Sequence, residues 1–473
     1  MREYLKGANP YMPLWEHVPD GEPRVFEHNG EKRVYVYGSH DTLRNEYCGN
    51  DYVVWSAPID DLTSWRYDGI AFEGNTILYA PDVVKKGEVY YMYAAYDKGG
   101  SVYVLESNSP TGPFINPRKT DFGFDIGVLV DDDGRCYAYW GFKKCFCAEI
   151  NEDMATIKNG TFKANMIPHC GFRDNLWDTE NIDYEFSYFE AASIRKVFGK
   201  YVFIYSKRDM AGNGILAKGK SVNAYLDYAY SDNPLTGWIH GGTIISNTGA
   251  LIEKTDGSRK RAYHKCNNHG SIEKINRRWY VFYHRGTGLN EFARQAMLEP
   301  IDAAIDKNGK IYLGNVKYGE DGEPYECDEA EMTSQGAYIN GMPSEKCISA
   351  GYACYIDSEN EENRAYIKPI YDENNESAPI VNIQNNTAVG FKYLDFNDVN
   401  SLNIKLKCSD NVKVKLYIDD VNSKNMCEIN AEKGEGYRWT NGTLNKKIFG
   451  KHSVYFIFET EGVCEFDSFY FQK

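Results

Sequence analysis

Three carboxylates and one imidazole recur at the same position of a repeated pattern in this chain. Glu22, Asp125, Glu190 and His269, together with Ala80, each open a short strand-like segment that leads through a turn into an aromatic strand. Two carboxylates that face each other across a sugar ring can hydrolyse a glycosidic bond, because one protonates the leaving oxygen and the other activates water or attacks directly. A third acid near the proton donor raises the donor's pKa by like-charge repulsion. The pattern therefore predicts glycoside hydrolysis if the fold brings these acids together.

The segments that must position these side chains form five similar units. The units begin near residues 22, 80, 125, 190 and 269, and their aromatic strands read "VYVYGSHD", "VYYMYAAYD", "CYAYWGF", "KYVFIYSKR" and "WYVFYHR". No amphipathic helix of 10–15 residues separates the strands, which disfavours a parallel βαβ fold. Four-stranded antiparallel units repeated radially give a β-propeller, here with five blades over residues 1–325. The innermost strand of each blade starts near the central axis, so the repeated acids are expected to converge there.

The composition and the strand pattern of the sequence change after residue 325. An acidic, turn-rich stretch over 326–346 is interpreted as a linker. Residues 347–473 carry alternating strands such as "TAVGFKYLDF", "SLNIKLKCS" and "HSVYFIFET". These strands predict a separate β-sandwich of the jelly-roll type, long enough for its own core. The whole chain is therefore predicted to be all-β.

Charge and aromatic content limit the partners. The net charge is −15, and no block of Lys or Arg could track a phosphate backbone, so nucleic acid and anionic membrane surfaces are not expected partners. Aromatic residues make up 15% of the chain, with 38 Tyr and 8 Trp. Sugar stacking and β-rich packing both explain such a content. Trp15, Trp55 and Tyr79 are candidates for stacking on a sugar ring, with core packing as the alternative for each.

Two further features concern location. No apolar run approaches the ~20 residues of a membrane span, and the amino-terminal stretch lacks the apolar core of a secretion signal. The 12 cysteines are scattered without the paired spacing of a zinc site, which favours free thiols. A cytoplasmic location is therefore predicted. The oligomeric state has no signal in the sequence.

Residues 8–320 resemble glycoside hydrolase family 43, whose members are inverting five-bladed propellers that act mostly on arabinose- and xylose-containing polysaccharides. The resemblance rests on "GEPRVF", "FDIGVLVDDDGRCYAYWG", "YFEAASIRKVFGKYVFIYS" and "NNHGSIEKINRRWYVFYHR". It implies that Glu190 is the general acid, Asp125 the modulator of its pKa, and Glu22 the general base. The family usually has Asp where this chain has Glu22, so Asp20 is the alternative base.

The same resemblance implies roles for three other residues. His269 matches a central histidine that contacts a hydrated calcium ion or an ordered water on the axis. Arg294 matches an arginine that points at the sugar, with Arg285 as the alternative. No cofactor is expected to be required, and a structural calcium ion is the one metal considered.

The carboxy-terminal region is similar to family 6 carbohydrate-binding modules through "AVGFKYLDF" and "EFDSFYF". If the resemblance extends to function, Trp439 is the first residue to test for sugar binding. The alternative is a packing domain that supports the propeller.

The predicted activity is that of an inverting exo-glycosidase that releases terminal α-L-arabinofuranose from oligosaccharides derived from arabinoxylan or arabinan. A β-D-xylosidase of xylo-oligosaccharides is the close alternative. A propeller that binds sugar without turnover is the alternative from another class. A cytoplasmic location favours short oligosaccharides as the substrate over intact polymer.

Overall fold

The computed structural model describes residues 4–95, 100–171, 182–209, 222–253, 257–360, 362–374 and 377–473. Within these ranges the chain is almost entirely strand and turn, and the one helical segment is a 3₁₀ turn at Ala350–Tyr352. No helix in the described ranges has the length and apolar character needed to cross a membrane. The prediction of an all-β chain is confirmed.

Five antiparallel blades follow one another along the chain. Strand β4 is shared, because its residues 66–78 pair with β3 while residues 79–86 pair with β5. Blades 1 and 2 consist of β1 (Glu22–His28), β2 (Glu31–Gly38), β3 (Gly49–Pro58), β4 (Arg66–Lys86), β5 (Val89–Ala95), β6 (Val102–Ser107) and β7 (Ile115–Lys119). Blade 3 consists of β8 (Gly127–Val130), β9 (Cys136–Trp140), β10 (Phe146–Ile150) and β11 (Lys163–Ala164).

The last two blades are separated by a short hairpin. Blade 4 consists of β12 (Tyr188–Val197), β13 (Lys200–Asp209), β14 (Val222–Ser231) and β15 (Ile239–Ser246). The hairpin consists of β16 (Leu251–Glu253) and β17 (Arg259–Arg261). Blade 5 consists of β18 (Ser271–Ile275), β19 (Arg278–Gly286), β20 (Arg294–Ile305), β21 (Ile311–Tyr318) and β22 (Pro324–Asp328). The prediction of a five-bladed propeller is confirmed.

Turn chemistry fixes the register of the first blade. His28 pairs with Glu31 across the two-residue turn Asn29-Gly30, so Glu22 at the start of β1 lies opposite Tyr37 in β2. Asn29 and Gly30 both have positive φ, at 52° and 78°. Hairpin turns of this kind need positive φ at both central residues, which Asn and Gly adopt at low cost.

The aromatic second strands supply the packing between blades. One buried cluster joins Val84 and Tyr93 of blade 2 to Val128 and Trp140 of blade 3. Another cluster contains side chains of blades 1 and 5, and the N–H of Tyr11 donates to the carbonyl of Ala296 at this junction. The ring of blades is therefore closed by apolar packing together with the amino-terminal segment.

A buried network of charges connects all five blades on the axis. Arg24 of blade 1 donates to both carboxylate oxygens of Asp82 in blade 2 and to the carbonyl of Val128 in blade 3. Arg195 of blade 4 donates to the carbonyl of Pro23 in blade 1 and, at 3.1 Å, to Glu273 in blade 5. We call the side chains of Glu22, Arg24, Asp82, Ser193, Arg195, Ser271 and Glu273 the axial network.

Removing one partner from this network should destabilise the protein. The carboxylate of Asp82 is 1% exposed, and its loss in Asp82→Ala leaves Arg24 in a low-dielectric environment without its bidentate partner. We expect the free energy of unfolding to fall by about 3 kcal/mol or more. Guanidinium unfolding monitored by tryptophan fluorescence measures it. Asp133→Ala removes an exposed partner of Arg135 and is the matched control, which should leave the midpoint unchanged.

A β-sandwich follows the propeller. Its core contains the packed rings of Phe391, Phe456, Phe466 and Phe469. Its strands are β23 (Met342–Pro343), β24 (Ile348–Ser349), β25 (Tyr355–Asp357), β26 (Tyr366–Ile367), β27 (Ile380–Ile383), β28 (Thr387–Cys408), β29 (Val412–Ile418), β30 (Cys427–Ala431), β31 (Arg438–Thr460) and β32 (Cys464–Gln472).

The boundaries between the two folds differ slightly from the predicted ones. The last strand of blade 5 ends at Asp328, and β23 at Met342–Pro343 already pairs with β28 of the sandwich. The predicted linker over 326–346 therefore contributes strand residues at both of its ends. One buried cluster runs continuously from blades 4 and 5 into the sandwich, so the two folds share packing.

Candidate active site

A cavity of about 730 Å³ lies at the end of the propeller axis where the innermost strands begin. Four of the five repeat positions identified in the sequence line it: Ala80, Asp125, Glu190 and His269. Blade 1 contributes Asp20. The three buried or partly buried acids in the cavity are therefore Asp20, Asp125 and Glu190, which come from blades 1, 3 and 4, while a fourth acid, Glu291, lines it as an exposed side chain.

Glu22 lies outside this cavity, and its predicted role as the base is not supported. Its carboxylate is 2.7 Å from the guanidinium of Arg195 and 3.4 Å from that of Arg24, and it accepts a hydrogen bond from Ser193. These contacts place Glu22 among the buried charges on the axis and not in the cavity. It belongs to the axial network.

Asp20 is held as an ionised carboxylate. Burial alone would raise its pKa, but the guanidinium of Arg294, with smaller contributions from His269 and His284, outweighs burial and lowers the pKa to about 2. Its closest cationic contact is the Nη1 of Arg294 at 3.1 Å, and its backbone N–H donates to the Nδ1 of His284. A carboxylate that stays charged at neutral pH is able to accept a proton from water.

The pKa of Glu190 is shifted in the opposite direction. Burial and then the negative charge of Asp20 raise its pKa to about 7, against the lowering effect of Arg294. The amide of Asn223 donates to its Oε1 at 2.7 Å. A carboxyl group that keeps its proton up to neutral pH is able to serve as a general acid.

Asp125 lies beside the segment that carries Glu190. Its Oδ2 accepts a hydrogen bond of 2.9 Å from the N–H of Ala191. Burial raises its pKa to about 7; His269 lowers it, and the charge of Glu190 raises it. The hydrogen bond from the N–H of Ala191 joins blades 3 and 4 next to Glu190. Asp125 is therefore placed to fix the position of Glu190 as well as its charge state.

Three residues at this cavity have a left-handed backbone conformation. Asp20 and Asp125 have positive φ, at 58° and 52°, and Ala191 after Glu190 has φ of 66°. Asp is one of the few residues other than Gly that adopt this region readily, and such positions cluster at functional sites. The Pro-Asp-Gly turn at Asp20 was therefore a local indication that this acid faces the cavity.

Arg294 is rigidly anchored at the wall of the cavity. Its Nε and Nη2 contact the carboxylate of Asp41 at 2.9 and 2.8 Å, and its guanidinium lies 4.9 Å from the ring centre of Tyr47. Arg294 is 2% exposed and lines the cavity, in the position predicted for a sugar contact. Arg285, the alternative, donates to the carbonyls of Gly351 and Ala353 in the sandwich instead.

An aromatic rim surrounds the acids, and most of it was missed in the sequence. Tyr79 lines the cavity as predicted, and its ring packs edge-on against Phe124 at 5.5 Å. The ring of Phe142 lies between those of Phe124 and Phe189, with ring centres 6.0 and 5.2 Å away. Tyr79, Phe124 and Phe189 each directly precede a repeat position, so an aromatic residue before the repeat position was the available signal.

Two other candidates lie elsewhere. Trp55 is 4% exposed and lies away from this cavity, because its side chain packs in the buried cluster between blades 1 and 5, with its ring centre 5.5 Å from that of Tyr67. Trp439 is 47% exposed on the sandwich, with its ring 5.1 Å from that of Tyr470. Sugar binding at Trp439 stays a prediction.

His269 lines the cavity close to two of the acids. Its Nδ1 is 3.9 Å from Asp20 and 3.9 Å from Asp125. In the described part of the chain no group of three or more His, Cys, Asp or Glu side chains is arranged to hold a metal ion. The side chains around His269 thus do not form a protein-ligated metal site, and a contact to a hydrated ion stays a prediction.

The bond from Asn223 gives a prediction for the pH profile. This amide stabilises the ionised form of Glu190, so Asn223→Ala should raise the pKa of Glu190 above about 7. An acid is active when protonated, so the alkaline limb of kcat/KM should move to higher pH. Asn151→Ala removes a comparable but exposed amide and is the control. An unmoved alkaline limb in Asn223→Ala would contradict the assignment of Glu190.

The fold and the three buried acids define a β-propeller glycoside hydrolase. Residues 26–311 match the sequence model of Glycosyl hydrolases family 43. The chain belongs to this family, as the sequence motifs indicated.

A relative with more than 30% identity supports this membership, and two further similar proteins have a lower identity. The chain is 32% identical to a protein named xylosidase/arabinosidase from Thermoclostridium stercorarium, and the match covers 98% of both chains. It is 22% identical to an arabinoxylan arabinofuranohydrolase from Paenibacillus polymyxa, over 95% of this chain and 72% of the relative. Among solved structures, a family 43 arabinoxylan arabinofuranohydrolase from Bacillus subtilis in complex with cellotetraose is 19% identical, with a TM-score of 0.47 and coverage of 98% and 97%.

Proposed function

We propose that this glycoside hydrolase releases terminal α-L-arabinofuranose from arabinoxylan- or arabinan-derived oligosaccharides, with inversion of the anomeric centre. The observation that carries the mechanism is that the pKa values of two acids in one cavity are shifted in opposite directions. Asp20 has a pKa of about 2 and Glu190 a pKa of about 7. At neutral pH one is therefore ready to accept a proton while the other still donates.

In the proposed reaction Asp20 removes a proton from a water molecule that attacks the anomeric carbon. Glu190 transfers its proton to the glycosidic oxygen as the bond to the leaving group breaks. Asp20 and Glu190 belong to blades 1 and 4, which are not neighbours in the ring of five, and this arrangement favours the wide separation that admits a water molecule. Direct attack by a carboxylate needs the shorter separation of about 5–5.5 Å, so inversion is the favoured outcome.

Release of a terminal sugar is favoured by the shape of the site. The axial network fills the layer beneath the acids, with Glu22, Asp82 and Ser193 between 0% and 3% exposed. A sugar chain therefore has one entrance and cannot pass through the propeller. Arg294 and the aromatic rim are placed to hold the sugar that reaches the bottom.

Hydrolysis of two chromogenic substrates tests this proposal. The protein should release 4-nitrophenol from 4-nitrophenyl α-L-arabinofuranoside, and proton NMR of the first product formed should show the inverted anomer. Faster release from the β-D-xylopyranoside would support the second candidate, a β-xylosidase, which the name of the Thermoclostridium relative also includes. No release from either substrate, with retained binding of arabinose or xylose, would indicate a propeller that only binds sugar.

A cytoplasmic location is also proposed. All twelve cysteines are free thiols, and ten of them are buried, which fits a reducing compartment. Fractionation of the producing cells, followed by the hydrolytic assay, tests it. Activity confined to the medium would contradict the proposal.

A further inference from the structure

A second cavity of about 700 Å³ lies on the outer side of blade 1. It is bounded by the amino-terminal segment, by β3 and the start of β4, and by Tyr371 in a loop of the sandwich. None of the three acids of the catalytic cavity lines it. This second cavity contains both tryptophans that the sequence suggested for sugar stacking and that the catalytic cavity does not use, Trp15 and Trp55.

Aromatic surface dominates this cavity. Tyr67 is 49% exposed and its ring lies 5.5 Å from that of Trp55, while Trp15 is partly exposed. On the opposite wall the guanidinium of Arg44 lies 4.1 Å from the ring centre of Tyr371. Exposed aromatic faces of this kind pack against the apolar C–H face of a sugar ring and leave the ring hydroxyls at the edges.

The charges around the cavity favour a neutral ligand. The acids Glu16, Asp41 and Glu373 line it together with the basic side chains of Lys6, Arg44, Arg66 and His40. Burial alone would lower the pKa of His40, but hydrogen bonds to Asp51 and Glu16 outweigh burial and raise the pKa to about 10. Several of these charges are already paired within the protein: Glu16 contacts His40 at 2.9 Å, and Asp41 contacts Arg294. A strongly anionic or cationic ligand would therefore meet charges of both signs.

One loop connects the second cavity to the catalytic one. Asp41 and Arg44 line the second cavity, whereas Tyr47 and Cys48 of the same loop line the catalytic cavity. The N–H of Asp41 donates to the carbonyl of His17 on one side, and its carboxylate holds Arg294 on the other. A saccharide chain bound in the second cavity would thus lie close to the entrance of the catalytic cavity, which its own end or a neighbouring branch would enter.

We propose that this second cavity is a binding site for a neutral saccharide, the pentose backbone of the oligosaccharides whose terminal sugars the catalytic cavity removes. The choice of a pentose backbone rests on the proposed function, whereas the existence of the site does not. The site raises the local concentration of the longer oligosaccharide substrates and takes no part in bond cleavage.

Calorimetric titration with xylohexaose tests the site without turnover. The titration is made on Glu190→Gln in saturating L-arabinose, which occupies the catalytic cavity. In that background Tyr67→Ala and, separately, Trp15→Ala should each weaken binding about tenfold or more, as expected for loss of an aromatic anchor. Tyr325→Ala is the matched control, because Tyr325 is 60% exposed on the outer strand of blade 5. It should bind xylohexaose with unchanged affinity.

Activity provides an independent readout in the otherwise unaltered enzyme. Tyr67→Ala should lower kcat/KM on long arabinoxylo-oligosaccharides several-fold relative to kcat/KM on 4-nitrophenyl α-L-arabinofuranoside, which is too short to reach both cavities. Xylohexaose affinity that is unchanged in both Tyr67→Ala and Trp15→Ala would overturn the proposal. Affinity that is lost only in Trp439→Ala would assign binding to the sandwich and would also overturn it. If the protein releases neither sugar but Tyr67→Ala still weakens binding, the site stands and the proposed activity fails.

Discussion

Asp20→Asn should abolish hydrolysis for every substrate, whatever its leaving group. The amide keeps the shape of the side chain but cannot accept the proton of the attacking water. General base catalysis contributes roughly 10²–10⁴-fold, so kcat should fall by about three orders of magnitude. Steady-state rates on arabino-oligosaccharides and on 4-nitrophenyl α-L-arabinofuranoside measure the loss.

Glu22→Gln is the informative comparison, because the same change of charge is made two residues away. Glu22 belongs to the axial network, where it contacts Arg195 and Arg24. The variant should unfold at lower denaturant concentration yet keep a kcat much closer to that of the unaltered protein. If Glu22→Gln is inactive at full stability and Asp20→Asn is active, the base is Glu22 and the assignment made from the cavity is wrong.

Glu190→Gln should lose most activity on natural oligosaccharides and recover part of it on activated substrates. A sugar leaving group needs the proton that Glu190 supplies, whereas 4-nitrophenolate departs without one. We expect a loss of about 10³-fold on arabino-oligosaccharides and a loss at least tenfold smaller on the nitrophenyl substrate. Both rates are measured at one pH, below the alkaline limb.

The pH profile separates this role from a structural one. In the unaltered protein activity should decline as pH rises through about 7, because Glu190 loses its proton there, while Asp20 with a pKa of about 2 stays ionised. With the nitrophenyl substrate the Glu190→Gln variant should lack that decline. A variant that shows equal losses on both substrates and an unchanged limb would contradict Glu190 as the acid.

The repeat in the sequence predicted the architecture because each blade uses the same alternation and the same turns. It also located Asp125, Glu190 and His269 in one cavity, since strands that start at the same phase meet at the same end of the axis. In blade 1 the acid that lines the cavity is Asp20, two positions before the Glu22 that the repeat pointed to. Asp20 lies in a turn with positive φ ahead of the strand, which the repeat pattern of the strands does not include.

Other features of the site depend on contacts between distant segments, which a single sequence does not reveal. Arg294 is fixed by Asp41, 253 positions away in the chain. Trp55 and Tyr79 are both aromatic candidates in the sequence, yet Trp55 packs between blades 1 and 5 while Tyr79 lines the catalytic cavity.

The buried layer beneath the acids also constrains how the enzyme returns to its starting state. After each reaction Asp20 carries the extra proton and Glu190 lacks one, so both must exchange protons with bulk water. Glu22, Asp82 and Ser193 fill the axis below them and leave no route to the opposite face of the propeller. Departing sugar, incoming water and exchanging protons therefore share one entrance. A product that stays bound there delays the return of both acids to their starting protonation states, as well as the entry of the next chain.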